Sequence, residues 1–192
     1  TLSIPRLAAD LVAVLDHAAP GRVHWVGNSL GGILGLELLR GHAARFRTLA
    51  TFGTAYNLDV PVWVAGAIRP AYWLLGRRLA GWLTARSTTR NAAARRLIAR
   101  LIRAADPEVV GIIAQNVSRY DLIANATGVD LPILLLRCGR DLSVNRALGP
   151  TLAAIRDRPN ITVVDLPEGG HCANLDATGS WRAALLEFWR MY

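Results

Sequence analysis

A chain of 192 residues and 20.8 kDa holds one domain or slightly more, and 52% apolar residues suffice for a buried core. No uninterrupted apolar run reaches the roughly 18 residues needed to span a bilayer; the closest stretch, 60–83, is broken by Arg69, Pro70, Arg77 and Arg78. All 22 basic residues are arginine and the net charge is +8, but no basic motif interleaved with aromatics occurs, so no nucleic-acid partner is expected.

The mean hydropathy of +0.27 is at the apolar end for a soluble protein, so some apolar surface is expected to line a pocket or a contact. No charged-then-apolar leader is read at the start of the sequence. Cys138 and Cys172 lack metal-ligand spacing, so no metal and no cofactor is expected, and a reduced, cytoplasmic setting is the default.

Strand and helix signals alternate along the chain, which predicts an α/β domain with a parallel sheet. Ser3 and Pro5 mark a helix start, Ala8, Leu11, Val12 and Leu15 follow at helical spacing, and Pro20-Gly21 ends the helix. Val23 to Val26 is a short buried strand, and Leu30 to Leu39 a helix. Thr48 to Phe52, Ile133 to Leu136 and Ile161 to Leu166 complete a set of four strands, with a helix from Arg146 to Arg156 between the last two. The final helix carries Trp181, Ala184, Leu185, Phe188 and Trp189 as one apolar stripe.

Residues 56–125 break this rhythm. They show no strand signal, and they carry Trp63, Trp73, Trp82 and ten arginines against four acids. An insertion of that length is too long for a connector. The expected organisation is therefore a core part at 1–55, a helical cap or lid at 56–125, and a second core part at 126–192.

The most informative segment is Gly27-Asn28-Ser29-Leu30-Gly31-Gly32. Gly-x-Ser-x-Gly between a strand and a helix is what a nucleophile elbow requires, with the serine at the tip of a sharp turn near the helix N-terminus. Such a serine needs a base, and the base an orienting acid. Of four histidines, His17 falls late in a helix, His24 inside a strand, and His42 in the loop after the elbow helix. His171 instead follows a strand through Pro167-Glu168-Gly169-Gly170, where open α/β sheets place their chemistry. Asp141 likewise follows the strand ending at Leu136; Asp59 is the alternative acid, and Asp165 lies within a strand. A turn or helix-cap role is the plain reading of an aspartate in that position.

With Gly27-Asn28-Ser29-Leu30-Gly31-Gly32, Cys138-Gly139-Arg140-Asp141 and Gly169-Gly170-His171 in this order, the chain resembles the α/β-hydrolase superfamily over nearly all its length. The resemblance implies Ser29 as nucleophile, His171 as general base and Asp141 as the group fixing the histidine tautomer. It implies the Leu30 N–H as an oxyanion donor; Asn28 beside the elbow and the cap tryptophans Trp63 and Trp73 are the further residues expected at the substrate. Gly-Asn-Ser-x-Gly-Gly is also similar to the elbow of the meta-cleavage product hydrolases, which cut carbon–carbon bonds. The expected substrate is a small carboxylic ester with a moderately hydrophobic part, by an acyl-enzyme route. A carbon–carbon hydrolase or thioesterase, and a non-catalytic remnant or binding module, are the competing readings. The plain reading of the cap arginines is a solvated helix face; a carboxylate-bearing substrate or an anionic membrane surface as partner is the alternative.

Two departures from the family pattern stand out. Cys138 occupies a position where glycine is common. The elbow also arrives at residue 29 after one helix, where members place about four strands and a loop giving the second oxyanion N–H. The expected fold is therefore the C-terminal portion of an α/β-hydrolase fold, about four mostly parallel strands, whose first strand has an open edge. A missing N-terminal segment or a partner chain is expected to complete the sheet.

Overall fold

The computed structural model describes residues 2–19 and 21–192; Pro20, expected to help end the first helix, lies outside them. In chain order the strands are β1 (Val23–Asn28), β2 (Phe46–Phe52), β3 (Asn57–Asp59), β4 (Arg119–Asp121), β5 (Ile133–Cys138) and β6 (Ile161–Leu166). The helices are α1 (Ile4–Ala18), α2 (Leu30–His42), α3 (Val62–Gly66), α4 (Ile68–Thr88), α5 (Ala92–Ala104), α6 (Pro107–Asn116), α7 (Ile123–Thr127), α8 (Leu142–Ile155), α9 (Ala173–Asp176) and α10 (Thr178–Arg190).

The four strands expected from sequence pair in the order β1-β2-β5-β6, and every pairing is parallel. Parallel strands need crossovers that cover the faces, so β5 reads as a nearly continuous apolar run. Alternation then divides the core. Leu49, Ile133 and Leu135 join one cluster with Ile4, Leu36, Leu148 and Ile155 of α1, α2 and α8. Ala50, Leu134 and Leu136 join the other with Leu185 and Phe188 of α10. Truncating Phe188, which is fully buried, to alanine costs about 3–5 kcal/mol.

Local chemistry sets the element ends. The Ser3 hydroxyl accepts from the Arg6 N–H at 3.4 Å, and Pro5 sits in the first turn of α1. The helix expected at 146–156 begins earlier, at Leu142, because the Asp141 side chain caps it, accepting from the Val144 N–H at 3.3 Å. His42, expected in a loop, is the last residue of α2.

Between β2 and β5 the chain runs through α3 to α6. The expectation that residues 56–125 hold no strand fails at both ends. β3 and β4 form an antiparallel ribbon, with Leu58 opposite Tyr120. Three-residue strands are too short to show a period, and Asp59 and Arg119 pair across the ribbon at 2.7 Å on its exposed side. The ribbon brings Val60 and Ser118 together (N–H to carbonyl, 2.8 Å), so the helical segment leaves and rejoins the sheet domain at one point. Within α4 the backbone turns at Gly76, φ 71°. Among the described residues no helix is long and apolar enough to cross a membrane.

Candidate active site

A parallel sheet aligns the carboxyl ends of its strands along one margin, and the three residues singled out in the sequence all follow such ends. Ser29 follows β1, Asp141 follows β5 by three residues, and His171 lies in the loop after β6.

At Ser29 the backbone adopts φ 51°, ψ −118°, the positive-φ non-glycine conformation among the described residues. A side chain in that conformation costs about 1–3 kcal/mol and persists only where the surroundings enforce it. They do so here from both sides. The Ser29 N–H donates to the Phe52 carbonyl at 3.1 Å, and the Thr54 hydroxyl donates to the Ser29 carbonyl at 3.1 Å. A Cβ at Gly27 would collide with the backbone of Gly31 and Gly32, so only glycine lets α2 start this close to β1. The Ser29 side chain makes no capping bond. Leu30 is the first residue of α2, so its N–H has no acceptor within the helix and stands at the positive end of the helix dipole.

The histidine–acid pair forms in the structure. His171 Nδ1 and Asp141 Oδ2 are 2.7 Å apart, with the Asp141 side chain 3% exposed and that of His171 26%. Asp141 divides its oxygens between two tasks. Oδ1 accepts from Ser143 Oγ at 2.9 Å and from the Val144 N–H at 3.3 Å, while Oδ2 faces the imidazole. Burial opposes its charge, but these hydrogen bonds and the imidazole outweigh burial and hold the carboxyl below its ordinary range. Asp141 thus caps α8 through one oxygen and bonds the imidazole through the other.

Asn28 connects the elbow to the histidine loop. Its Nδ2 donates to the His171 carbonyl at 2.8 Å and to the Phe52 carbonyl at 3.2 Å, so the amide is engaged with backbone. The three segments meet over Gly53, φ 57°, where an added Cβ would lie 2.7 Å from Asn28 Nδ2 and 2.8 Å from the His171 carbonyl oxygen. Gly53 and Thr54 escaped sequence reasoning, since a lone Gly-Thr after a strand resembles any turn.

Ser29 and His171 line one cavity of about 280 Å³. Its other walls are mainly apolar, among them Ile33, Leu58, Val60, Val117 and Val144. Val60 and Val117 come from the neck of the helical segment, where no motif marked them. Trp63 and Trp73 do not line this cavity; they stand on α3 and α4, 77% and 87% exposed.

The remaining histidines lie elsewhere. His17 and His42 are exposed, and His24 bonds the Thr48 hydroxyl at 2.8 Å and packs on Trp189. Asp59 is paired with Arg119 and Asp165 with Arg137, both on the surface. Cys138 ends β5 with its thiol buried, and burial pushes it up to about 11. Among the described residues no group of three or more His, Cys, Asp and Glu is placed to hold a metal ion.

A sequence profile described as the alpha/beta hydrolase family matches residues 1–183. No curated protein sequence matches. Among solved structures, the chain is similar to the enol-lactonase from Burkholderia xenovorans LB400, with TM-score 0.80 and 22% identity, covering 98% of this chain and 73% of that one. A thermophilic esterase from Thermogutta terrifontis gives TM-score 0.79 and 21% identity, over 100% of this chain and 73% of that one. The bromoperoxidase from Bacillus anthracis gives TM-score 0.83 and 16% identity, over 98% and 74% respectively. At these identities the likeness is one of fold.

Proposed function

The chain belongs to the alpha/beta hydrolase family, and on that premise we propose that it hydrolyses carboxylic esters with a moderately hydrophobic acyl or alcohol part. The observation that carries the proposal is the buried Asp141 bonded to His171 at 2.7 Å, with His171 and the strained Ser29 on one apolar cavity.

In this reading Ser29 Oγ attacks the ester carbonyl as His171 Nε2 takes its proton. Asp141 fixes the tautomer with hydrogen on Nδ1 and stabilises the imidazolium that forms. The oxyanion meets the Leu30 N–H. Collapse breaks the bond to the alkoxy group, which leaves as the alcohol with the proton from His171. Water, deprotonated by His171, then attacks the acyl-serine and releases the acid with Ser29 restored. The second oxyanion donor comes from a segment or partner chain seated beside β1, next to the elbow, and the helical segment acts as a cap over the apolar cavity.

Two solved structures of the same fold, an enol-lactonase and an esterase, support the ester class. The cavity of about 280 Å³ supports a short to medium acyl group. A series of p-nitrophenyl esters of rising chain length tests this. Turnover that peaks at intermediate chain length and vanishes in Ser29→Ala is expected. Absence of ester turnover, with cleavage of a thioester or a vinylogous diketone instead, would reject the ester reading while keeping the three residues.

A further inference from the structure

The helix α4 is built inside out. After the turn at Gly76, its sides toward the protein are small, with Ala80, Gly81 and Ala85 buried. Its large side chains face solvent: Arg78, Trp82 and Arg86 follow at i, i+4, i+8, beside Leu79 and Leu83, all exposed. Before the turn, Trp73 and Leu74 are more exposed still. A helix on a soluble domain ordinarily puts its apolar stripe inward, so this face lacks the partner its composition calls for.

Charge narrows what that partner is. From residue 60 to 105 the sequence holds nine arginines and no acid. The acids closest in sequence on the far side, Asp106 and Glu108, start α6 across a groove from Trp73. On α4, Arg86 lies 4.8 Å over the Trp82 ring, so a cation and an aromatic are presented as one unit. A second copy of this chain would bring one arginine face against another. A phosphate backbone would meet the arginines but leave Leu79 and Leu83 uncovered. An anionic bilayer satisfies both: tryptophans sit at the headgroup level, leucines enter the acyl boundary, and arginine stems lie along it with their guanidiniums on phosphates.

We propose that the outward face of α4 after the turn docks on the surface of anionic lipid membranes, with Trp82, Leu79 and Leu83 inserted and Arg78 and Arg86 on lipid phosphates.

Flotation of the full chain with vesicles of phosphatidylcholine, alone or mixed with phosphatidylglycerol, tests this. Binding is expected with the anionic vesicles, weak with the neutral ones, and reduced by high salt. Arg78→Gln with Arg86→Gln should weaken anionic-vesicle partitioning about 30-fold, from roughly fivefold per arginine at the surface. Trp82→Ser with Leu83→Ser should weaken it at least about tenfold by loss of buried apolar area. Both variants should melt with the parent chain, since the altered side chains are exposed. Failure to float with anionic vesicles, or equal flotation with neutral ones, overturns the proposal without any variant. So does a dimer in sedimentation velocity that Trp82→Ser dissolves, or retention by single-stranded RNA in place of flotation.

Discussion

The side-chain amide of Asn28 donates to the backbone carbonyl of His171 at 2.8 Å, across 143 residues of sequence. The residue before the elbow serine thereby holds the loop that carries His171, and the placement of Ser29 relative to His171 rests on a bond that involves neither side chain.

Asn28→Ala removes that bond and the 3.2 Å bond to Phe52. Two hydrogen bonds of ordinary strength predict a loss of about 1–3 kcal/mol in stability by urea unfolding. Ester turnover should fall in kcat more than KM rises, because the loop, not the cavity wall, is released. An unchanged kcat would show that the loop is held without Asn28.

Asp141→Asn keeps the cap on α8, since an amide oxygen still accepts from Val144, but no longer selects the Nδ1–H tautomer of His171. The expected result is a fall in kcat of about 10⁴ with stability changed far less than activity. Equal losses in both would mark Asp141 as a capping residue alone.

Acid should unfold the protein partly through the same carboxylate. Its folded-state value lies below the ordinary 3.8, so its contribution is fully present above about pH 4. It is lost as pH falls through the depressed value. In thermal melts from pH 5 downward, Asp141→Asn should lose stability less steeply than the parent chain.

Gly53→Ala places a Cβ in a φ 57° conformation against Asn28 and His171. A loss of about 1–3 kcal/mol is expected from backbone strain, together with weaker labelling of Ser29 by a fluorophosphonate probe. Stability equal to the parent's would mean the three-way contact relaxes without strain.

Cys138 should resist thiol reagents at neutral pH, because burial raises its thiol to about 11. With a disulfide reagent at pH 8, Cys138 should react only after denaturation. Rapid reaction in the folded chain would contradict its burial.

The parts of this fold that were legible in the sequence share a cause. Leu134, Leu135 and Leu136 are fully buried or nearly so because β5 is covered on both faces, and that shows as an unbroken apolar run. The elbow was legible because its steric demands select glycine at 27. The β3–β4 ribbon was not, because Asn57-Leu58-Asp59 and Arg119-Tyr120-Asp121 owe their pairing to each other and not to a period of their own. The tie from Asn28 to His171 was likewise hidden, since a backbone carbonyl as acceptor leaves no residue type to read. The cavity walls Val60 and Val117 become neighbours only through the Val60–Ser118 bond at the neck.

The strand that delivers Ser29 pairs with β2 on one side and stands at the edge of the four-stranded sheet among the described residues. Edge strands open at lower free energy than central ones. Amides of β1 should exchange with solvent sooner than those of β5, and each such opening loosens the bond between the Ser29 N–H and Phe52 that keeps the strained turn in place. Ser29 is thus mounted on one of the two edges of the sheet, so any strand that pairs with β1 also rigidifies it.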